Sequence, residues 1–221
     1  MNYFDKHAEP VGSAEMKELD RKTIEEAGVP SMVLMERAAL VCYEELIAGD
    51  FDLKRSICVC GTGNNGGDGI AIARLLKLGG FDASVLLVGD EKHSSKETKK
   101  QLLIAEFYGV PILHLKPDDQ ASLKLPVFTT IVDAIFGIGL KRPVEGRFAD
   151  IVGIINKKRS KGAKVLSVDI PSGISADTGQ VLGFAVIADA TVTFARNKIG
   201  LSIPPGRVHC GKLTVADIGI Y

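Results

Sequence analysis

Ser56-Ile57-Cys58-Val59-Cys60 is a short, nearly continuous apolar run that stops in Gly61-Thr62-Gly63-Asn64-Asn65-Gly66-Gly67-Asp68-Gly69. A strand with one wet face would alternate apolar and polar residues. This run does not alternate, so both of its faces are buried, as in a parallel sheet covered by helices on both sides. The flanking sequence supplies those helices. Ile70 to Leu78 reads as helix, Ala83 to Gly89 as strand, Ser95 to Tyr108 as helix and Val110 to Leu115 as strand. Phe128 to Ala134, Lys164 to Ile170, Ala190 to Phe194 and Leu213 to Ile218 read as further strands, with a helix from Phe148 to Lys158 between the first two. Ahead of them, Ser13 is placed to N-cap a helix with Met16, Leu19, Ile24 and Ala27 at helical spacing, and Gly28 suits its end. Pro30-Ser31 opens a second helix with Leu34, Met35, Ala38, Ala39, Val41, Cys42 and Leu46 on a broad apolar face.

The expected fold is therefore α/β: a three-layer αβα sandwich with a Rossmann-like, mostly parallel sheet and helices on both faces. The chain has 221 residues, with no repeat, low-complexity tract or linker-like stretch, so a single domain over 1–221 is expected. That length buries a core without disulfides or a metal staple.

Sheets of this kind bind ligands at the carboxyl ends of their strands, near the switch point in strand order. Gly61, Gly63 and Gly66 fit G-x-G-x-x-G, a weak signal by itself. Asp68, early in the following helix, complements the helix dipole but repels a phosphate. Asn64 and Asn65 offer amide oxygens suited to a hard cation. Five glycines in nine residues point to a close approach to the backbone, although a turn rich in Gly and Asn needs no ligand.

Asp133 ends the Phe128 strand, where a buried carboxylate is costly unless it is paired or coordinates a cation. The turn that follows, Gly137-Ile138-Gly139-Leu140-Lys141-Arg142-Pro143, carries two cations suited to a phosphate, or else is a solvated loop. Asp169 ends the Lys164 strand ahead of Pro171-Ser172-Gly173, either as a functional carboxylate or as a cap of that turn. If the two strands are neighbours, Asp133 and Asp169 face one cleft, one holding a cation and the other handling a proton. Lys198 follows the Ala190 strand, where a surface lysine is the commoner meaning.

Lys and Arg together number 27, as do Asp and Glu, so the net charge is zero and a dedicated nucleic-acid binder is disfavoured. Cys42, Cys58, Cys60 and Cys210 form no CxxC pair and read as buried thiols in a reducing compartment. His7, His93, His114 and His209 share no metal-ligand spacing. Met1 to Lys6 has no signal pattern, and no apolar run approaches the ~18 residues of a membrane span. A soluble cytoplasmic protein with no membrane partner is the expectation.

Four motifs taken together are far more specific. Gly61 to Arg74 (GTGNNGGDGIAIAR), Val132 to Gly146 (VDAIFGIGLKRPVEG), Ser167 to Gly179 (SVDIPSGISADTG) and Thr193 to Leu201 (TFARNKIGL) resemble the NAD(P)H-hydrate epimerase family, the YjeF N-terminal domain. The opening from Met16 to Ala39 resembles the family's start, except that Ala39 stands where relatives usually have glycine. The resemblance runs from about Met16 to Gly219.

The resemblance implies an isomerase that interconverts the R and S epimers of hydrated NADH and NADPH (NADHX and NADPHX). A dehydratase specific for the S form, separate or fused, then restores the cofactor. It also implies one potassium ion per subunit, held here by Asn65, Asp133 and Ser172. Substrate contacts would come from Asn64, Asn65, Gly66, Gly67 and Asp68, from Gly137 through Ile138, Gly139, Leu140, Lys141 and Arg142 to Pro143, and from Asp169. It implies a homodimer as well. Many relatives continue into a dehydratase domain, so the chain reads as a stand-alone epimerase or the front part of a longer protein.

Epimerisation needs the ring hydroxyl protonated so that nitrogen expels water as an iminium forms, with water returning to the other face. Ring opening and reclosure is an equivalent route. Asp169 is the candidate acid and base, with Lys198 second. Two other readings stand beside this one. A binding module of the same fold, related to nucleotides or RNA, would be favoured by loss of Asp133 and Asp169, yet both are present. An NAD(P)-dependent oxidoreductase would use Asp90 or Glu91 on the ribose, but Asn64, Asn65 and Asp68 in the phosphate loop speak against it.

Overall fold

The structure, a computed structural model, describes residue 5 and residues 8–115 and 126–221; His7 and the rest of the Met1 to Lys6 opening lie outside that set. Its strands are β1 (Ser56–Cys60), β2 (Ala83–Val88), β3 (Ile112–Leu115), β4 (Thr130–Ala134), β5 (Lys164–Val168), β6 (Ala190–Phe194) and β7 (Lys212–Ala216). They form one sheet in the order β3-β2-β1-β4-β5-β6-β7, and every pairing is parallel rather than most of them. The chain winds outward from β1 to β3, then returns to β4 on the other side of β1. The switch point therefore lies between the carboxyl ends of β1 and β4.

The main helices are α1 (Ser13–Glu25), α2 (Ser31–Ala48), α3 (Asn64–Leu78), α4 (Lys96–Phe107) and α5 (Gly146–Arg159), followed by two single turns, α6 (Ile199–Ser202) and α7 (Gly206–His209). They cover both faces of the sheet. Cys58 and Cys60 of β1 join α1–α4 in one buried cluster, while Ile57 and Val59 join Ile151, Val152 and Ile155 of α5 in another. That two-sided burial is what the unbroken apolar run of β1 requires. All four cysteines are buried and free. Most of the broad apolar face of α2 is spent inside the chain: Leu34, Met35, Ala38, Ala39, Cys42 and Leu46 are buried and Val41 is half-buried.

Two local expectations differ from the structure. Ser13 does not cap α1: the N-cap is Gly12. The Ser13 backbone N–H and hydroxyl instead donate to the Asp177 carboxylate at 2.6 and 2.8 Å, so a residue 164 positions away supplies the negative charge at this helix start. Second, the helix expected from Ile70 begins at Asn64, inside the glycine loop. Intrinsic propensity opposes helix there, but close packing favours it. A Cβ on Gly61 would collide with the Ile135 carbonyl, and one on Gly66 with the Gly61 carbonyl. One on Gly69 would lie 2.5 Å from Ala134 Cβ and 2.8 Å from Cys60 Sγ. What comes close to the backbone at these glycines is the protein itself, seating α3 against β1 and β4. Within the loop only Gly63 faces open space.

Candidate active site

β5 and β6 end in the same way. Asp169 and Ala195 follow them with φ of 65° and 60°, the only non-glycine residues in the left-handed region among those described. Each sits at the centre of a three-residue turn, with Ile170 N–H donating to the Val168 carbonyl at 2.8 Å and Arg196 N–H to the Phe194 carbonyl at 2.7 Å. Such strain persists only where the surroundings over-determine it, and it concentrates at functional sites. The two turns stop the strands abruptly and hold Asp169 beside Lys198.

Lys198 is 1% exposed, so it is no surface lysine. Its ammonium donates to Asp169 Oδ1 at 2.6 Å, to Thr193 Oγ1 at 2.8 Å and to the Phe194 carbonyl at 2.9 Å. Those bonds use all three of its N–H groups. The Thr193 hydroxyl in turn donates to Asp169 Oδ1 at 3.1 Å. Asp169 Oδ2 makes no hydrogen bond among the described residues.

Asp169 and Lys198 open on a cavity of about 150 Å³ walled by α1, α2, the start of α3, the β6 end and the C-terminal segment. Asp20, Asn64, Asp68 and Ile138 also line it, with apolar walls from Met35, Phe194 and Ile218. The Asp68 carboxyl has no hydrogen-bond or ion-pair partner among the described residues. Burial, then the charges of Asp169 and Asp20, hold it well above the usual carboxylate range. Its folded value thus exceeds its unfolded one, so stability falls as pH rises from the ordinary carboxylate value through the raised one. Asp68→Asn should therefore raise Tm at pH 7 by about 2–4 °C, the shift that 1 kcal/mol gives in a chain of this length. The gain should vanish near pH 3, where both proteins are neutral at this position; calorimetry at the two pH values checks it.

Asp133 is placed elsewhere. β4 and β5 are neighbours, but Asp133 follows Val132, which faces α2 and α3, so its side chain points to the opposite face of the sheet. It does not line the Asp169 cavity, and the expectation of one shared cleft fails for that reason. Its carboxylate, 0% exposed, accepts from Ser172 Oγ at 2.6 Å, from Ser172 N–H at 2.9 Å and from Ser167 Oγ at 2.8 Å. Burial raises its pKa, and these hydrogen bonds work against that rise. Ser172 Oγ also accepts from Phe136 N–H at 2.9 Å, which ties the Asp133 centre to the Gly137 turn. Asn65 leans on that turn, its Cγ lying 3.3 Å from where a Gly137 Cβ would be. Its buried amide nitrogen has no hydrogen-bond partner among the described residues. Asp133 and Ser172 are thus joined to each other and tied to the start of the Gly137 turn, against which Asn65 also lies, and all three carry oxygens of a kind suited to a hard cation. Among the described residues no cluster of His, Cys, Asp and Glu offers an alternative metal centre.

Lys141 and Arg142 are exposed on the rim, as are Gly139 and Pro143. No side chain caps α3, whose first turn holds Asn64, Asn65, Gly66 and Gly67 beside this rim. Asp90 accepts from Lys92 N–H at 3.0 Å to cap a local turn, and Glu91 lies 3.4 Å from His114, so both acids of the oxidoreductase reading have local partners. No helix is long and apolar enough to cross a membrane among the described residues.

Asp20 and Thr193 stand inside stretches that resemble the family, but the sequence assigns neither a role. Asp20 sits among Lys17, Glu18 and Arg21 and looks like part of a solvated face. The available signal was its spacing: Met16, Asp20 and Ile24 stand four residues apart, so the aspartate lies within the inward stripe of α1.

An all-parallel sheet with its carboxylates gathered at the strand ends defines an α/β protein of the Rossmann-like class. Residues 31–200 match the model of the YjeF-related protein N-terminus, and the chain belongs to that family. The NAD(P)H-hydrate epimerase of Levilactobacillus brevis is 50% identical over 209 residues, covering 94% of this chain and 93% of the relative. That of Oenococcus oeni is 49% identical over 212 residues, covering 96% and 97%. The crystal structure of yeast ynu0 superposes with a TM-score of 0.73 at 26% identity, covering 95% of this chain and 88% of the yeast chain.

Proposed function

We propose that this protein is an NAD(P)H-hydrate epimerase, interconverting the R and S forms of NADHX and NADPHX. The observation that carries the reading is the Asp169 carboxylate, fixed at one oxygen by Lys198 and Thr193 and free at the other, beside a cavity. The relatives' names supply the substrate class. The nicotinamide ring lies in the cavity, with one of its faces towards Asp169. The dinucleotide's phosphates lie towards the α3 start and the Gly137 to Pro143 turn, where Lys141 and Arg142 supply positive charge. Asp169 Oδ2 gives a proton to, or takes one from, the oxygen at the hydrated carbon. With no N–H to spare, Lys198 acts as a positioning residue that orients Asp169.

Asn65, Asp133 and Ser172 would hold a potassium ion. Bound there, the ion supplies a positive charge that organises the Gly137 turn and the α3 start. Asn65 links the two by its position, and Ser172 fixes the turn through Phe136 N–H. Replacing potassium by sodium should raise KM more than it lowers kcat; equal KM in the two salts counts against this role. In the same reading the enzyme is cytoplasmic, works as a homodimer and passes its S product to a dehydratase.

The deciding experiment incubates isolated R epimer with the protein and follows the epimer ratio by NMR. Conversion faster than the spontaneous rate is expected, and a ratio unchanged from the buffer control defeats the proposal. Hydride transfer from NADH to a panel of carbonyl compounds would favour the oxidoreductase instead.

A further inference from the structure

We propose that Asp20, on α1, is a second catalytic residue, exchanging a proton with the substrate oxygen on the ring face opposite to Asp169. The inference rests on the epimerase reading and adds to it. Inverting a centre by loss and return of water requires proton transfer on both faces of the ring, because water leaves from one and arrives on the other. A single carboxylate anchored in the sheet serves one face. Lys198 cannot serve the second while its three N–H groups are held by Asp169, Thr193 and Phe194.

Asp20 meets the requirement geometrically. It lines the same cavity from a different wall, since α1 carries it while Asp169 rises from the end of β5. Among the described residues it has no hydrogen-bond or ion-pair partner. The other charged groups lining the cavity are Lys17, on the same helix, and Asp68, Asp169 and Lys198, from other elements. Its helix is fixed to the catalytic loop: Val11 N–H donates to the Asn197 carbonyl at 2.9 Å, Ile199 N–H donates to the Val11 carbonyl at 3.0 Å, and Asp177 caps the first turn. The residues on either side of Lys198 are thus tied to the segment that leads into α1. Burial, then the Asp169 charge, pushes the Asp20 carboxyl up, which favours the protonated form needed by an acid at neutral pH. Asp20 also lies outside the stretch that matches the family model.

Protonated Asp20 transfers its proton to the ring hydroxyl. The carbon–oxygen bond breaks, water departs and the ring nitrogen's lone pair forms the carbon–nitrogen double bond. A water on the other face then attacks that carbon, the π electrons return to nitrogen, and Asp169 accepts the proton released. The reverse reaction uses Asp169 as acid and Asp20 as base. After a forward turnover, exchange with solvent water resets both.

The test compares wild type, Asp20→Asn and Asp20→Glu on isolated R epimer, across pH and with calorimetry. Asp20→Asn should lower kcat by about 10²–10⁴-fold with KM within threefold, and should flatten the alkaline limb of the kcat profile. Asp20→Glu should recover part of kcat and restore the limb. A residue with only a structural role would lower Tm or raise KM and leave the limb in place. Asp20→Asn with kcat within threefold of wild type overturns the proposal, as does lost activity with an unchanged limb, or a chain that folds only with aspartate or glutamate at this position. Each of those results leaves the epimerase reading standing. Only a wild type that fails to outpace spontaneous conversion defeats that reading.

Discussion

Asp169→Asn should lose epimerase activity by about 10²–10⁴-fold, the contribution typical of a positioned acid–base group. The amide keeps an oxygen that can accept from Lys198 and Thr193, so the geometry around Oδ1 survives while the group loses its ability to exchange a proton. Thermal unfolding should accordingly change much less than activity does. Lys198→Met is the informative partner variant. It strands a buried carboxylate next to Thr193 and removes the group that orients Asp169, so it should lower both Tm and kcat. An Asp169→Asn enzyme as fast as wild type would remove the acid–base role from this residue and leave the fold and family unaffected. Activity is read on isolated R epimer, with the uncatalysed rate subtracted.

Asp133→Ala should show the largest loss of stability. Two effects oppose each other. Removing the carboxyl abolishes the cost of burying it, which is the leading reason its pKa is raised. It also strands the Ser172 N–H and the Ser167 hydroxyl, leaves the Ser172 hydroxyl with Phe136 alone, and opens a hole between β4 and the Gly137 turn. At about 1–3 kcal/mol per buried unsatisfied group the second effect wins, for a net loss on the order of 3 kcal/mol. In a chain this long that lowers Tm by about 6–12 °C. A carboxylate that also holds potassium adds a further signature: KCl in place of NaCl should raise the wild-type Tm by mass action and leave Asp133→Ala unmoved. A potassium effect that survives in the variant would place the ion elsewhere.

Asp133 and Asp169 show where reading the chain stops. Both are visible as carboxylates at the ends of buried strands, and their strands are indeed neighbours. Their division of labour is not visible, because side chains alternate across a strand and β5 ends one residue before Asp169 in a left-handed turn. The glycine loop is a second case. Its composition suggests a ligand pressed against the backbone, yet Gly61, Gly66 and Gly69 are required by Ile135, Gly61 and Ala134, partners known only once α3 lies on the sheet.

The unbroken apolar run of β1, the strand–helix alternation and the four strand-end motifs determined the α/β class and the family, because local periodicity and residue type carry that information along the chain. Only the tertiary structure decided that Asp177 caps α1, that Lys198 is buried with every donor engaged, and that Asp20 lines the cavity of Asp169. These are contacts between residues far apart in sequence, and a charged side chain reads as a solvated surface group until the fold puts it in a cavity where burial and neighbouring charges change its chemistry.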